Sequence, residues 1–402
     1  MSMSTQTRPG PLALTLGLLL GLPSVASANP LFEDGKPLLD LRLRAEIVED
    51  AAFPRDASAL TLRTRLGWRS GTVNGFFVLV EAEDVRALDN AYNSTANGRS
   101  GYPVVADPEG SEWNQAYLGW DSGGGTLVQV GRQRLGYDNQ RFIGNVGWRQ
   151  NEQTFDAISI RHQVNPDVTV QYAWLDKVHR VFGNQHPNRL LAEHELDAHL
   201  LNLGWKGALG SFTGYAYLIE NQDLPASSSR SLGLRHQRSF SWGDSREWWY
   251  GGEYARQRGW RDAPAHGSVG YHQLELGLRL SGHGLRLGHE QLGSNGRRAF
   301  QTPLATAHAF NGWADRFLVT PADGLSDLHL KFDGPLGPMR YLIAMHRFEA
   351  ARGGADYGDE LDVQLSWPFA KGWNAIAKYA DYRSDGFGSD VRKLWLSVEY
   401  RY

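Results

Sequence analysis

The chain has 402 residues and no cysteine, and its 41 basic and 44 acidic residues leave a formal net charge of −3. This near-neutral balance argues against a nucleic-acid-binding protein, which usually has a clear basic excess. The absence of cysteine excludes disulfide and thiolate chemistry in this chain. The length would ordinarily predict more than one soluble domain, but large barrels exceed that rule.

The N-terminus has the features of a secretory signal peptide. Arg8 is the positively charged residue, residues 12–22 are apolar, and Ala-Ser-Ala at 26–28 is a small-residue cleavage site. The alternative is an uncleaved membrane anchor, but the small residues at the end argue against it. We therefore predict a signal peptide over residues 1–28 and a mature domain over residues 29–402.

Short segments in which apolar and polar residues alternate continue along the whole mature chain. In residues 39–47, Leu, Ala and Ile alternate with Asp, Arg and Glu, and the same alternation returns in residues 60–69, 274–280, 361–367 and 394–402. A period of two predicts β-strands. No later window has the long uncharged apolar run of a membrane-spanning helix, so any membrane crossing must be made by strands.

Three features favour a membrane barrel over a large soluble all-β protein, which is the alternative. The polar faces of consecutive segments are densely charged, aromatic residues cluster near segment ends, and short connections alternate with long ones. We predict an antiparallel outer-membrane β-barrel of about 18 strands in a Gram-negative bacterium, with both termini in the periplasm. A barrel of that size leaves an aqueous channel.

One long connection, residues 131–156, is rich in arginine and amide side chains. It reads GRQRLGYDNQRFIGNVGWRQNEQTFD, and its glycines allow it to fold back tightly. Guanidinium groups bind carboxylates bidentately, so the segment offers many donors to an anionic polymer. The simpler interpretation is a solvated surface loop.

A second long connection is unusually apolar for a loop. We select four of its residues as a constriction: His308, Asn311, Trp313 and Arg316. A loop of this composition does not remain free in water, so it either folds across the mouth and narrows the pore or forms a short amphipathic helix packed on its neighbours.

Both segments also resemble signature segments of a known family. Residues 131–156, the stretch FQTPLATAHAFNGWADRFLVTPADGLSDL at 300–328 and the closing KLWLSVEYRY are similar to those of the alginate-export family of outer-membrane porins. The resemblance implies a channel for alginate or a similar anionic polysaccharide. The chain is shorter than the alginate exporters proper, and its short turns leave no room for a folded periplasmic gate.

Inward-facing basic residues then form the predicted substrate path, because rings of basic side chains select anions. Pairing with lumen carboxylates, which stabilises the barrel wall, is the alternative role for each of them. The path consists of Arg42, Arg44, Arg63, Arg65, Arg132, Arg134, Arg141, Arg149, Arg279 and Lys331.

The leading hypothesis is a porin that exports an anionic exopolysaccharide, with no catalysis, cofactor or metal. The expected partners are outer-membrane lipid and lipopolysaccharide, the polysaccharide and periplasmic export proteins, but no nucleic acid. A passive uptake porin for small anions such as sugar acids is the first alternative, and a barrel enzyme or adhesin is the second. His194, Glu195 and His199 are reminiscent of a metalloprotease motif, but a strand places these two histidines on opposite faces.

Overall fold

The computed structural model describes residues 30–243 and 245–402. The predicted signal peptide therefore lies outside the described residues. Two four-residue helices, α1 (Pro30–Glu33) and α2 (Arg189–Ala192), accompany a single sheet of 18 strands. No helix within these two ranges is long and apolar enough to cross a bilayer.

The strands account for most of the mature chain. Their bounds are β1 Lys36–Asp50, β2 Ala57–Arg69, β3 Phe76–Ala91, β4 Gly110–Asp121, β5 Thr126–Gln133, β6 Thr154–Asn165, β7 Val168–His179, β8 Glu193–Gly207, β9 Gly210–Asn221, β10 Ser229–Ser241, β11 Arg246–Gly259, β12 Ser268–Leu280, β13 His283–Leu292, β14 Leu325–Leu336, β15 Met339–Glu349, β16 Asp356–Ala370, β17 Trp373–Ser384 and β18 Val391–Arg401.

The sheet closes on itself as a barrel. Each strand pairs antiparallel with its neighbours in sequence, and β18 returns to pair with β1 from Asp40 opposite Arg401 to Asp50 opposite Val391. Closure leaves the barrel without an unpaired sheet edge. The predicted fold class and strand number are confirmed, including β4 and β10, whose sequences alternate least regularly.

The alternation of each strand separates a lipid-facing surface from the interior. On β1, Leu43 and Ile47 are exposed, whereas Arg42, Arg44 and Glu46 point inward and are buried. This arrangement inverts the usual rule for soluble proteins, because lipid takes the place of water around the outer face.

Short and long connections lie at opposite ends of the barrel. The short ones include residues 122–125, 208–209 and 371–372, and the long ones include 134–153 and 293–324. Both described chain ends lie at the short-turn end, since β1 begins there and β18 finishes there.

The connection between β3 and β4 covers residues 92–109, because β3 continues to Ala91 and β4 begins at Gly110. Asp84 and Arg86 lie on the outer face of β3 and pair with each other at 2.7 Å. A strand that extends beyond the apolar band tolerates such a pair on its outer face.

Candidate functional site

Residues 134–153, called the crossing segment here, span the interior of the barrel. The segment leaves β5 and returns to β6, yet Arg141 Nε lies 2.7 Å from Glu290 Oε1 on β13, eight strands around a ring of 18. Nearer the other end of the segment, Arg42 of strand β1 donates to the carbonyl oxygens of Gly147 and Trp148 at 3.2 and 3.1 Å. Because a half-circle is nine strands, the segment reaches nearly across the full width of the lumen.

Arginines of the wall fix this segment through buried ion pairs. Arg44 pairs with Asp107 and donates to the carbonyl oxygen of Trp148 at 2.6 Å. Arg149 Nη1 lies 3.3 Å from Glu46 Oε2. Burial alone raises the pKa of Asp107, but Arg44 and Arg149 outweigh it and hold that pKa below its ordinary value. The Asp107 carboxylate therefore stays charged at neutral pH and keeps both guanidiniums in place.

A second set of pairs anchors the end of the segment. Arg134 Nη2 lies 2.5 Å from Glu81 Oε1, and Arg134 also pairs with Glu152. Arg65 pairs with Glu83 and lies 3.4 Å from Glu152 Oε1. Burial raises the pKa of Glu152, but Arg65 and Arg134 lower it by more. The pKa of Glu152 therefore lies below its ordinary value.

An aromatic cluster holds the middle of the crossing segment. The ring of Phe142 lies 5.2 Å from Tyr215, 5.3 Å from Tyr271 and 5.8 Å from Phe300, measured between centroids. Rings at these separations attract each other beyond the gain from area burial alone. The cluster packs the middle of the segment against β9 and β12.

The second loop, residues 293–324, joins the crossing segment inside the barrel. Ile143 and Leu304 form a parallel bridge, with Gly144 N donating to the Leu304 carbonyl at 2.8 Å. Thr306 N donates to the carbonyl of Gln140 at 3.1 Å. The two loops therefore form one hydrogen-bonded body that narrows the pore.

His308 is the centre of the contact between the second loop and the wall. Its ring stacks on Trp148 with centroids 4.4 Å apart, its Nδ1 lies 2.7 Å from Asp315 Oδ1, and its Nε2 lies 2.8 Å from Lys378 Nζ. Burial lowers the pKa of His308 to about 3. The neutral ring can then donate to Asp315 and accept from Lys378, whose Nζ also lies 3.8 Å from the ring centroid of Trp313.

The other predicted constriction residues also contact the wall. Asn311 accepts from Arg141 at 2.8 Å, Trp313 N donates to Asp362 at 3.3 Å, and Arg316 Nη2 lies 3.0 Å from Asp50 Oδ1. Between residues 300 and 318 the only helical turn is the 3-10 turn Ala307–Ala309. The segment lies inside the barrel against the crossing segment and the wall, and that it constricts the pore stays a prediction.

Unusual backbone conformations concentrate in these two loops. Gln140, Val146, Asn311 and Asp315 all have positive φ, at 64°, 50°, 53° and 63°. A β-branched residue such as Val146 is a genuine outlier in this region. Such strain persists only where the surroundings over-determine the conformation, as the bonds between the loops do here.

The body formed by the loops leaves a cavity beside strands β10–β14. Its volume is about 350 Å³, and Arg235, Lys331, Asn139, Asn311 and Phe310 are among its lining residues. A second cavity of about 560 Å³ lies towards the short-turn end and is lined by four cations, Lys206, Arg238, Arg279 and Arg286. The two cavities share Gln237, Trp249 and Arg286 and thus adjoin.

The ten predicted path residues divide into two groups. Arg279 and Lys331 line the cavities, and Arg279 also pairs with Asp333 at 3.1 Å. The others hold structural pairs: Arg63 with Asp40, Arg132 with Asp156 at 2.9 Å, and the remaining six with the loops and wall as described above. That these residues conduct a substrate stays a prediction.

The predicted path did not include Arg235, although the alternation of its segment places this residue among the inward-facing basic ones. It also omitted Trp148, the ring on which His308 stacks. Trp148 could not have been found from spacing, because its partners come from β1 and from the second loop. As predicted, His194 and His199 lie on opposite faces of β8, the first buried and the second exposed.

Solved structures share this architecture. OccAB2 of Acinetobacter baumannii is 17% identical, with a TM-score of 0.72 over 93% of this chain and 99% of that chain. OccK2 (OpdF) of Pseudomonas aeruginosa, solved with glucuronate, is 14% identical, with a TM-score of 0.70 over 93% and 99%. OpdK of the same organism, solved with vanillate, is 14% identical, with a TM-score of 0.68 over 92% and 99%.

The closed barrel and its inward loops define a channel protein of the outer membrane. The family model described as alginate export matches residues 38–287. The chain belongs to the alginate export family, as its signature segments predicted. No curated protein matches its sequence.

Acid is expected to loosen the second loop at His308. Its pKa in the folded loop lies below the ordinary value of about 6.5, so a released loop binds the proton more readily. The loop contact is therefore fully stable above about pH 6.5 and loses up to about 1.4 kcal/mol per pH unit as the pH falls towards the folded pKa. Single-channel recordings from pH 8 to pH 4 should show more frequent conductance fluctuations at the acid end.

His308→Gln is the matched control for this pH dependence, because glutamine stays neutral throughout. The variant should lose the dependence between pH 6.5 and 4. Burial raises the pKa of Asp315, but His308 and Lys393 outweigh burial and hold this pKa well below its usual range. Protonation of Asp315 therefore affects the channel only at still lower pH. Identical pH profiles in wild type and variant would rule out His308 as the titrating group.

Proposed function

We propose that this outer-membrane channel carries small anionic solutes of the sugar-acid class through the cavity beside strands β10–β14. The observation that carries the proposal is the crossing segment, which fills the lumen and leaves room for one small molecule. A cavity of about 300–1,000 Å³ is the ordinary size of a site for a single small ligand. The short turns and both chain ends then face the periplasm.

The charges around the cavity favour an anion. Arg235 and Lys331 form no ion pair or hydrogen bond with any residue in the described ranges, whereas Glu290 is neutralised by Arg141. Further along the same route, Lys206 of the second cavity is likewise without a carboxylate partner among the described residues. Free guanidinium and ammonium groups can bind a carboxylate weakly and release it to the next site, as conduction requires.

The ligands of the two solved relatives support the same solute class. Glucuronate and vanillate are both small carboxylates, and they were found with barrels of this fold. The identity to those barrels is low, so the argument depends on the cations of this chain rather than on the relatives.

Export of an anionic polysaccharide is the second candidate, because the family match favours it. A polyuronate chain would need a continuous lumen, so both loops would have to leave the interior together. That movement would break the Arg141–Glu290 and Arg149–Glu46 pairs, which join the crossing segment to the wall. If the channel exports a polysaccharide, we also expect it to contact periplasmic export proteins and lipopolysaccharide.

Neutralising the free cations is expected to abolish anion preference. In planar bilayers under a salt gradient, Arg235→Gln/Lys331→Gln should shift the reversal potential towards cation selectivity and remove block by glucuronate. Arg256→Gln is the matched control. Arg256 lies on the outer face of β11 beside exposed Tyr254, and its only side-chain hydrogen-bond partner among the described residues is Ser268, at 2.7 Å.

Two outcomes separate the candidate functions. Block by glucuronate without passage of alginate chains in liposomes supports the small-solute proposal. A wild-type channel that is cation-selective and unaffected by glucuronate would contradict it, and passage of long polyuronate chains would favour export instead.

A further inference from the structure

Three metal-ligating side chains meet on the inner face of β14 and β15. Asp327 and His329 are two residues apart on β14 and therefore share a face, and His346 stands directly opposite His329 in the register of the two strands. All three are buried. Asp327 and His329 also line the 350 Å³ cavity.

The distances within this cluster suit a single ion. His346 Nδ1 lies 2.9 Å from Asp327 Oδ1, His329 Nδ1 lies 3.6 Å from Asp327 Oδ2, and the three ligand atoms lie within 4.8 Å of one another. Tetrahedral zinc with bonds of about 2.1 Å keeps its ligand atoms about 3.4 Å apart. Small side-chain rotations would therefore bring all three atoms to bonding distance.

Independent evidence comes from a polar atom that lacks a partner. Nδ1 of His329 is buried and forms no hydrogen bond among the described residues. Buried polar atoms without partners are rare in native proteins and indicate a missing water or ion. This atom lies within the cluster, 3.6 Å from Asp327 Oδ2.

The surrounding groups resemble the outer shell of a metal site. His346 would bind through Nδ1, which leaves its Nε2 3.8 Å from Asp362 Oδ2. Carboxylates that face the second nitrogen of a ligating histidine orient the ring and raise its basicity. The cations that act on Asp362 are Lys378 on β17 and Lys331 on β14. Arg141 is neutralised by Glu290, and Asn311 donates to Asp327 at 3.1 Å.

We propose that Asp327, His329 and His346 bind a divalent transition-metal ion such as Zn²⁺, with the fourth position open to the cavity. Two imidazoles and one carboxylate suit Zn²⁺, Ni²⁺ or Cu²⁺, whereas Mg²⁺ and Ca²⁺ prefer oxygen ligands. The bound ion adds positive charge to the wall of the cavity. The proposal rests on the cluster alone and holds whichever solute the channel carries.

Metal titration of the purified full-length barrel tests this site. We expect one tight equivalent of Zn²⁺, and Co²⁺ in its place should give the intense visible absorption of a tetrahedral ion. His329→Gln and Asp327→Asn should each weaken binding by more than about 100-fold, since even the loss of an outer-shell partner weakens it about 10- to 100-fold. Asp362→Asn should weaken Zn²⁺ binding by only about 10- to 100-fold and should keep the tetrahedral Co²⁺ spectrum.

The histidine pair on the outer face provides the matched control. His272 and His289 lie 5.4 Å apart, measured between ring centroids, and His289 lies on the strand next to β14. His289→Gln should leave Zn²⁺ binding unchanged. Heat-modifiable migration on gels shows whether each variant is folded. Asp327→Asn is the variant that changes the side-chain shape least. The proposal is overturned if wild type binds no more Zn²⁺ than His329→Gln, or if His289→Gln removes the bound equivalent.

Discussion

Replacing residues 301–317 with a short glycine–serine linker is expected to raise the single-channel conductance several-fold. The replacement removes Leu304 and Thr306, which bond to the crossing segment, and His308, which stacks on Trp148. The crossing segment then loses its support on one side, and the opening beside it widens within the barrel of 18 strands. Bilayer recordings in concentrated salt measure the change directly.

The control for this replacement is a long loop that does not enter the lumen. Residues 261–267 between β11 and β12 are almost entirely exposed, and shortening them should leave the conductance unchanged. Equal conductance in the 301–317 variant and wild type would show that the second loop does not limit the flow of ions.

Arg141→Ala is expected to destabilise the folded barrel by about 3–5 kcal/mol, the usual effect of leaving one partner of a buried pair uncompensated. Glu290 would keep only Tyr271 and Asn311, which donate to it at 2.8 and 2.6 Å. The crossing segment would also lose its attachment to β13. Urea titration of the barrel in lipid vesicles would measure the stability, and recordings would show a larger, noisier channel.

Two further variants identify the cause of that destabilisation. Arg141→Met/Glu290→Gln removes both charges and should recover most of the stability, because no uncompensated charge remains. Arg86→Ala breaks the exposed pair with Asp84 and should change stability by less than about 1 kcal/mol. If Arg141→Ala behaved like Arg86→Ala, the buried pair would not hold the segment.

Much of the fold could be predicted because each barrel strand alternates apolar and polar residues in its own sequence. Residues 39–47 show apolar and charged residues in strict alternation, and each neighbour of β1 repeats it, so face and strand number follow from local patterns. The long connection predicted over residues 131–156 spans residues 134–153, because β5 and β6 each extend three residues into it. Local pattern sufficed for the fold since every strand pairs with its neighbours in sequence.

The site depended on contacts that no local pattern contains. Arg141 and Glu290 are 149 residues apart, and only the closed ring and the path of the crossing segment bring them together. His329 and His346 meet because β14 and β15 pair in one particular register. Nothing in the residue type of Val146 indicates a positive φ. Sequence identified the two loops as unusual, but their partners required the three-dimensional structure.

The crossing segment also has a mechanical consequence. Arg42 at one end and Arg141 at the other tie distant parts of the wall to the same stretch of chain. Such an internal brace resists flattening of the barrel into an ellipse when the bilayer presses on it from the side. The width of the passage is then fixed by bonded protein atoms, so that size discrimination should stay constant in membranes of different thickness and tension.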